Sequence, residues 1–168
     1  MTDRKKLTPT QRRLLLGSPA GWIACGLGSG LVPLAQGTAG SLAAILPWLG
    51  LRLLPLPLYG LALVLAFTLG VWACDAAGRM LGVEDHRSLV WDEFVGQWLA
   101  LLPLLLLPAP WWVVLVGFGL FRLFDVWKPW PIGWLDAHLK GGLGVMADDV
   151  VAGALAAVVL AGGALLLR

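Results

Sequence analysis

The residues able to do chemistry are few and closely grouped. Three clusters stand out. The first is Glu84-Asp85-His86-Arg87-Ser88, followed by Trp91-Asp92-Glu93-Phe94. The second is Phe121-Arg122-Leu123-Phe124-Asp125-Val126-Trp127-Lys128-Pro129, and the third is Asp148-Asp149 after Gly141-Gly142-Leu143-Gly144. Carboxylates brought together repel one another unless a cation sits among them. Hard oxygen donors suit Mg²⁺, which takes one or two carboxylates plus water and substrate phosphate. The plainer role for Asp92, Glu93, Asp148 and Asp149 is capping, since each falls where a helix start would favour negative charge. Adjacent pairs are more than capping needs.

Other groups could serve the same site. Gly37-Thr38-Ala39-Gly40-Ser41 offers small residues and hydroxyls at the start of an apolar stretch, where backbone N–H groups can meet an anion; Thr38 or Ser41 would equally serve as an N-cap. Arg122, Lys128 and Arg87 could neutralise phosphate, the arginines through a bidentate fork, or simply meet anionic lipid. His86, beside two acids, could shuttle a proton, whereas His138 reads as structural. The two cysteines, Cys25 and Cys74, lie in apolar or small-residue stretches and read as packed free thiols.

The elements that must position these groups belong to a membrane protein. The chain has 168 residues, of which 59% are apolar and 13% charged, with a mean hydropathy of +0.84; soluble domains carry about 25% charge. The composition excludes disorder, a basic nucleic-acid-binding domain and an ordinary soluble enzyme. Residues 1–20 read as a basic cytoplasmic segment without a signal peptide, and residues 21–168 as one domain. The expected fold is all-α, a helical membrane bundle with about five hydrophobic helices. The apolar stretches are Ser41 to Leu58, Tyr59 to Ala77, Phe94 to Leu107, Trp111 to Phe124 and Val150 to Leu167, separated at Pro55, Pro57, Pro108 and Pro110. The third and fourth have about 14 residues, roughly 21 Å of helix against about 30 Å of hydrocarbon. Trp111 and Trp112 at one end, and Trp127, Trp130 and Trp134 at the other, suit interfacial belts. The Gly-rich segment 21–40 reads as a short amphipathic or re-entrant element, and Gly153 with Ala157 as a helix-packing face.

Charge placement gives an expected topology. Five of the twelve basic residues lie in the first thirteen positions. With that end in the cytoplasm, loops 78–93 and 125–149 are cytoplasmic by the positive-inside rule. Eight of the ten acids then share one membrane face.

The motifs together resemble a known family. Gly26-Leu27-Gly28-Ser29-Gly30, Gly37-Thr38-Ala39-Gly40-Ser41, Val90-Trp91-Asp92-Glu93-Phe94-Val95-Gly96, Phe121 to Ile132 and Asp148-Asp149-Val150-Val151-Ala152-Gly153 occur in order from about Trp22 to Gly153. They resemble the phosphatidylglycerophosphatase A family. The resemblance implies Mg²⁺-dependent removal of the terminal phosphate from phosphatidylglycerophosphate, giving phosphatidylglycerol in the bacterial inner membrane, with the active site facing the cytoplasm. It implies Asp92, Glu93, Asp125, Asp148 and Asp149 as metal ligands or catalytic acids. Gly37, Thr38 and Ser41 would line the phosphate site, and Arg122 and Lys128 would hold phosphate charge. The partners expected are that lipid substrate and the bilayer, with no nucleic acid; no oligomer is predicted.

Rival phosphatase designs lack their residues. Cys74 and Arg79 have four residues between them where a cysteine phosphatase needs five, and no Asp-x-Asp occurs. Two histidines in this context do not provide a histidine-based lipid phosphatase. Asp75-Ala76-Ala77-Gly78-Arg79 matches only the start of an alcohol phosphotransferase signature. Metal-assisted hydrolysis remains, with a cation-activated water as nucleophile. Asp92, Glu93, Asp148 and Asp149 would supply ligands and a base, and Asp85 or His86 would assist the leaving group. The residues leave a carboxylate nucleophile open. A structural or ion-translocating membrane protein is the alternative reading of the same acids, although a translocator wants acids near mid-span.

Overall fold

The computed structural model describes residues 7–166. Every regular element among them is helical: α1 (Pro9–Leu16), α2 (Pro19–Ala24), a 3-10 turn (Gly26–Leu31), α3 (Gln36–Leu51), α4 (Leu56–Leu81), α5 (Trp91–Ala100), a second 3-10 turn (Leu102–Leu105), α6 (Val113–Trp127), α7 (Ile132–His138) and α8 (Gly141–Leu166). The all-α expectation is met. The basic residues Arg4, Lys5 and Lys6 and the end of the fifth predicted stretch lie outside the described residues.

Two helices, α4 and α8, are long and apolar enough to cross a membrane. Each has 26 residues, about 39 Å of helix. Only 17% and 28% of their most apolar stretches are buried within the protein. The core helix of a soluble protein would be mostly buried, so these two fit a membrane protein. Exposed apolar side chains continue along α3 (Leu42, Leu46, Leu49) and α6 (Leu115, Val116, Leu123), which suits a hydrocarbon surround.

The remaining predicted stretches are shorter. The first is helical over Gln36–Leu51, with Pro47 inside, and gives way to turns before Pro55. The third is ten residues of α5 followed by the 3-10 turn at Pro103. The fourth is the fifteen-residue α6. The Gly-rich segment resolves into α2, a 3-10 turn with left-handed Leu27 and Gly28, and the first turn of α3.

Helix α5 is the pivot of the site, and indole donors fix it. Trp91 Nε1 donates to the Ala66 carbonyl of α4 at 2.9 Å, and Trp98 Nε1 to the Ala44 carbonyl of α3 at 2.8 Å. Tyr59 Oη of α4 donates to the Trp98 carbonyl at 2.6 Å. Buried tryptophan and tyrosine need such partners, and these three bonds set the rotation of α5. On its other side α5 meets α8 backbone to backbone: a Cβ on Gly153 would stand 2.3 Å from the Gly96 carbonyl oxygen. The packing reading of Gly153 is right. The buried alanines beside it are Ala152 and Ala156, and Ala157 is half-buried.

The start of α8 corrects an expectation. Gly141-Gly142-Leu143-Gly144 forms its first turn, so Asp148 and Asp149 lie two turns inside the helix and are not its caps. Packing explains it. A Cβ on Gly142 would stand 2.0 Å from the Val71 carbonyl of α4, and Asp75 Oδ1 accepts the Gly142 N–H at 3.2 Å. The contact with α4 overrides glycine's poor helix propensity.

Candidate active site

The site forms where the starts of α3, α5 and α8 meet the end of α6. Between them lies an open cleft of about 530 Å³. Of the residues singled out in the sequence, Gly37, Glu84, Asp85, Arg87, Asp92, Glu93, Arg122, Asp125, Lys128, Asp148 and Asp149 line it. Three carboxylate oxygens, one each from Asp125, Asp148 and Asp149, lie within 4.8 Å of one another. Asp148 and Asp149 are 5% and 3% exposed.

Two cations are locked among these acids. Arg122 pairs with Glu93, with Asp125 at 2.7 Å, and donates to Ser41 Oγ at 3.3 Å. Lys128 pairs with Asp148 at 2.6 Å and Asp136 at 2.8 Å. Burial alone would lower the Lys128 ammonium, but the Asp148 and Asp136 carboxylates hold it above its ordinary value. Asp92 is pushed well above the usual carboxylate range, first by burial and then by the charges of Glu93 and Asp148.

Gly37 is where the α3 start comes closest. A Cβ there would stand 2.0 Å from Glu93 Oε1 and 3.1 Å from the Arg122 guanidinium, so any larger residue would occupy the space of the ion pair. Helix α3 begins at Gln36 with Ala35 in a left-handed conformation as N-cap. Neither Thr38 nor Ser41 therefore caps it. Thr38 is exposed and does not line the cleft. Ser41 is fully buried and stands behind the cleft wall, its hydroxyl 2.7 Å from Glu93 Oε2 and 2.9 Å from the Gly37 carbonyl. It touches the carboxylate, not the cleft. His86 likewise is not a lining residue; it is buried in its turn, where Nδ1 accepts the Ser88 N–H at 3.2 Å.

Asp136 and Lys140 were not singled out, yet both line the cleft. The signal for Asp136 is Lys128, eight residues earlier, whose ammonium takes it as a second partner. Cys25 and Cys74 are both free and buried, and burial pushes the Cys25 thiol up to about 11, which fits the reading of packed free thiols.

The donor set fits a hard divalent cation. Asp149 Oδ2 is buried and, among the described residues, has no hydrogen-bond partner. A buried, unpartnered carboxylate oxygen is costly, and a cation between Asp125, Asp148 and Asp149 would satisfy it. Of the five predicted metal ligands these three converge. Glu93 Oε2 is already held by Ser41 and Arg122, and Asp92 flanks the group.

Fold and cleft together give an all-helical protein with two helices able to cross a membrane and a polar, acid-lined site whose carboxylates could hold a metal ion. Comparison with known proteins narrows this. The phosphatidylglycerophosphatase A family model matches residues 22–164. A phosphatidylglycerophosphatase A of Escherichia coli K12 is 46% identical over 149 residues, covering 88% of this chain and 85% of that protein. One from Haemophilus influenzae is 41% identical over 161 residues, 95% of each chain. A Bacteroides thetaiotaomicron protein, provisionally named a phosphatidylinositol-3-phosphatase, is 42% identical over 148 residues, covering 83% of this chain and 89% of that one. No solved structure matches. The chain belongs to the phosphatidylglycerophosphatase A family and is a phosphatase.

Proposed function

We propose that the protein hydrolyses the terminal phosphate monoester of phosphatidylglycerophosphate, with Mg²⁺, to give phosphatidylglycerol and phosphate in phospholipid biosynthesis. The reaction takes place at the cytoplasmic face of the bacterial inner membrane. The observation that carries this reading is the Asp125–Asp148–Asp149 group, three carboxylates within 4.8 Å at the wall of a cleft that also holds Arg122 and Lys128.

Asp125, Asp148 and Asp149 would hold the cation, with Asp92 beside them. When bound, it supplies Lewis-acid neutralisation of charge on the phosphoryl group. The remaining work falls to the chain. Arg122 and Lys128 offset part of the acidic charge of a cleft that, among the described residues, eight carboxylates and four cations line. Ser41 and Arg122 fix Glu93 from behind, leaving Glu93 Oε1 beside Gly37 as the oxygen available to orient a nucleophile. Asp92, on the cleft lining beside Glu93 and Asp148, is the first candidate to pass a proton to the departing glycerol alkoxide. Asp85, on the cleft rim, is the second candidate for that step. His86 is buried behind the lining, where its Nδ1 accepts the Ser88 N–H in the loop that carries Asp85.

The test is product analysis. Purified protein given phosphatidylglycerophosphate and Mg²⁺ should yield phosphatidylglycerol by mass spectrometry. A phosphorylated phosphatidylinositol serves as competing substrate. No phosphatidylglycerol, or preference for the inositol lipid, would overturn the substrate assignment.

A further inference from the structure

Among the described residues four cations line the cleft, and they divide into two kinds. Arg122 and Lys128 are each held by two carboxylates. Arg87 and Lys140 are exposed and, among the described residues, neither has a carboxylate at ion-pair distance. They come from different segments, the loop after α4 and the residue before α8, yet both face one cavity. A cation with no internal partner keeps its full capacity for an outside anion, which a cation shared between two acids does not.

We infer that Arg87 and Lys140 form a second anion subsite that holds the phosphodiester of the lipid substrate. The inference rests on the phosphatase reading above. The substrate carries two phosphates joined by one glycerol: a terminal monoester, which is the dianion, and a diester, which carries a single charge. The carboxylate triad and its cation suit the first. Arg87 and Lys140 suit the second, because both are exposed cations on the cleft lining and neither is held by a described carboxylate. Arg87 offers a planar fork to the two free diester oxygens, and Lys140 offers a point charge. The subsite makes the cleft select a lipid with two phosphates over a lipid with only a terminal monoester, such as phosphatidic acid.

The diester could also belong to bulk anionic lipid, so the experiment separates the two sources. Phosphate release is measured for wild type, Arg87→Gln, Lys140→Gln and the double variant in neutral detergent micelles, where substrate brings the only diester, and again in anionic vesicles. Substrates are phosphatidylglycerophosphate and phosphatidic acid. The expected result in micelles is a roughly tenfold rise in KM for phosphatidylglycerophosphate per variant with kcat within twofold, and little change for phosphatidic acid. Arg87→Lys should restore part of the loss. Equal losses on both substrates, losses confined to anionic vesicles, or unchanged KM would overturn the subsite while leaving the phosphatase reading intact. A wild type that releases no phosphate from phosphatidylglycerophosphate overturns both.

Discussion

Ser41 Oγ lies 2.7 Å from Glu93 Oε2, and this contact joins the start of α3 to the start of α5 at the back of the acidic cleft. Arg122 of α6 reaches the same two groups. Three helices thus meet on one carboxylate. Ser41→Ala would leave that buried carboxylate short of a donor, at about 1–3 kcal/mol. We expect a lower melting temperature in detergent and a roughly tenfold loss of phosphate release. Ser41→Thr, which keeps the hydroxyl, should lie between wild type and Ser41→Ala; an unchanged Ser41→Ala would deny the positioning role.

Gly37→Ala tests the close approach on the other side of Glu93. Its Cβ would stand 2.0 Å from Glu93 Oε1, so the carboxylate or α3 must move by about an ångström. Misplacement on that scale costs on the order of 10²-fold in rate. The check is kcat alongside circular dichroism, with kcat falling and helix content kept.

Gly153→Leu separates α5 from α8, since even a Cβ there would stand 2.3 Å from the Gly96 carbonyl. Overpacking costs about 1–3 kcal/mol, and both stability and activity should drop. A melting curve matching wild type would show that the two helices are not held in this contact.

These contacts show what could be read from sequence and what could not. The adjacency of Asp148 with Asp149, and of Asp92 with Glu93, was legible because like charges in pairs demand a counter-ion whatever the fold. Their depth was not. Gly141 to Gly144 looks like a flexible link by propensity, and only the approach of the Val71 carbonyl to Gly142 explains why it is helix. Ser41 looked like a residue facing phosphate because the helix was expected to start there. The true start at Gln36 turns its hydroxyl onto Glu93 instead. Asp136 and Lys140 sit in a stretch with no motif; their shared cavity marks both, and the ion pair with Lys128 marks Asp136.

The raised pKa of Asp92 predicts a pH dependence with a definite sign. A carboxyl held above its unfolded value of about 3.9 destabilises the folded state once it ionises. Acidifying the metal-free protein from neutral pH should raise its melting temperature as Asp92 takes up its proton, the gain being complete near the unfolded value. Stabilisation by Mg²⁺ should run the other way and grow with pH, because cation and protons compete. Thermal melts at pH 5 to 8, with Mg²⁺ and with EDTA, check both. A Mg²⁺ shift independent of pH would contradict the carboxylate site.

The most direct measurement compares wild type with Asp149→Asn, each purified and given phosphatidylglycerophosphate with Mg²⁺ or with EDTA. Asp149 Oδ2 is the buried oxygen that a cation would satisfy, and the asparagine keeps the shape while removing the charge. Wild type should release phosphate with Mg²⁺ and lose at least 10³-fold, on the scale of removing a dominant electrostatic contributor (~4 kcal/mol), in EDTA. Asp149→Asn should stay folded in the membrane and show no Mg²⁺-dependent release. Equal release by wild type in Mg²⁺ and EDTA, or full activity in Asp149→Asn, would contradict the account.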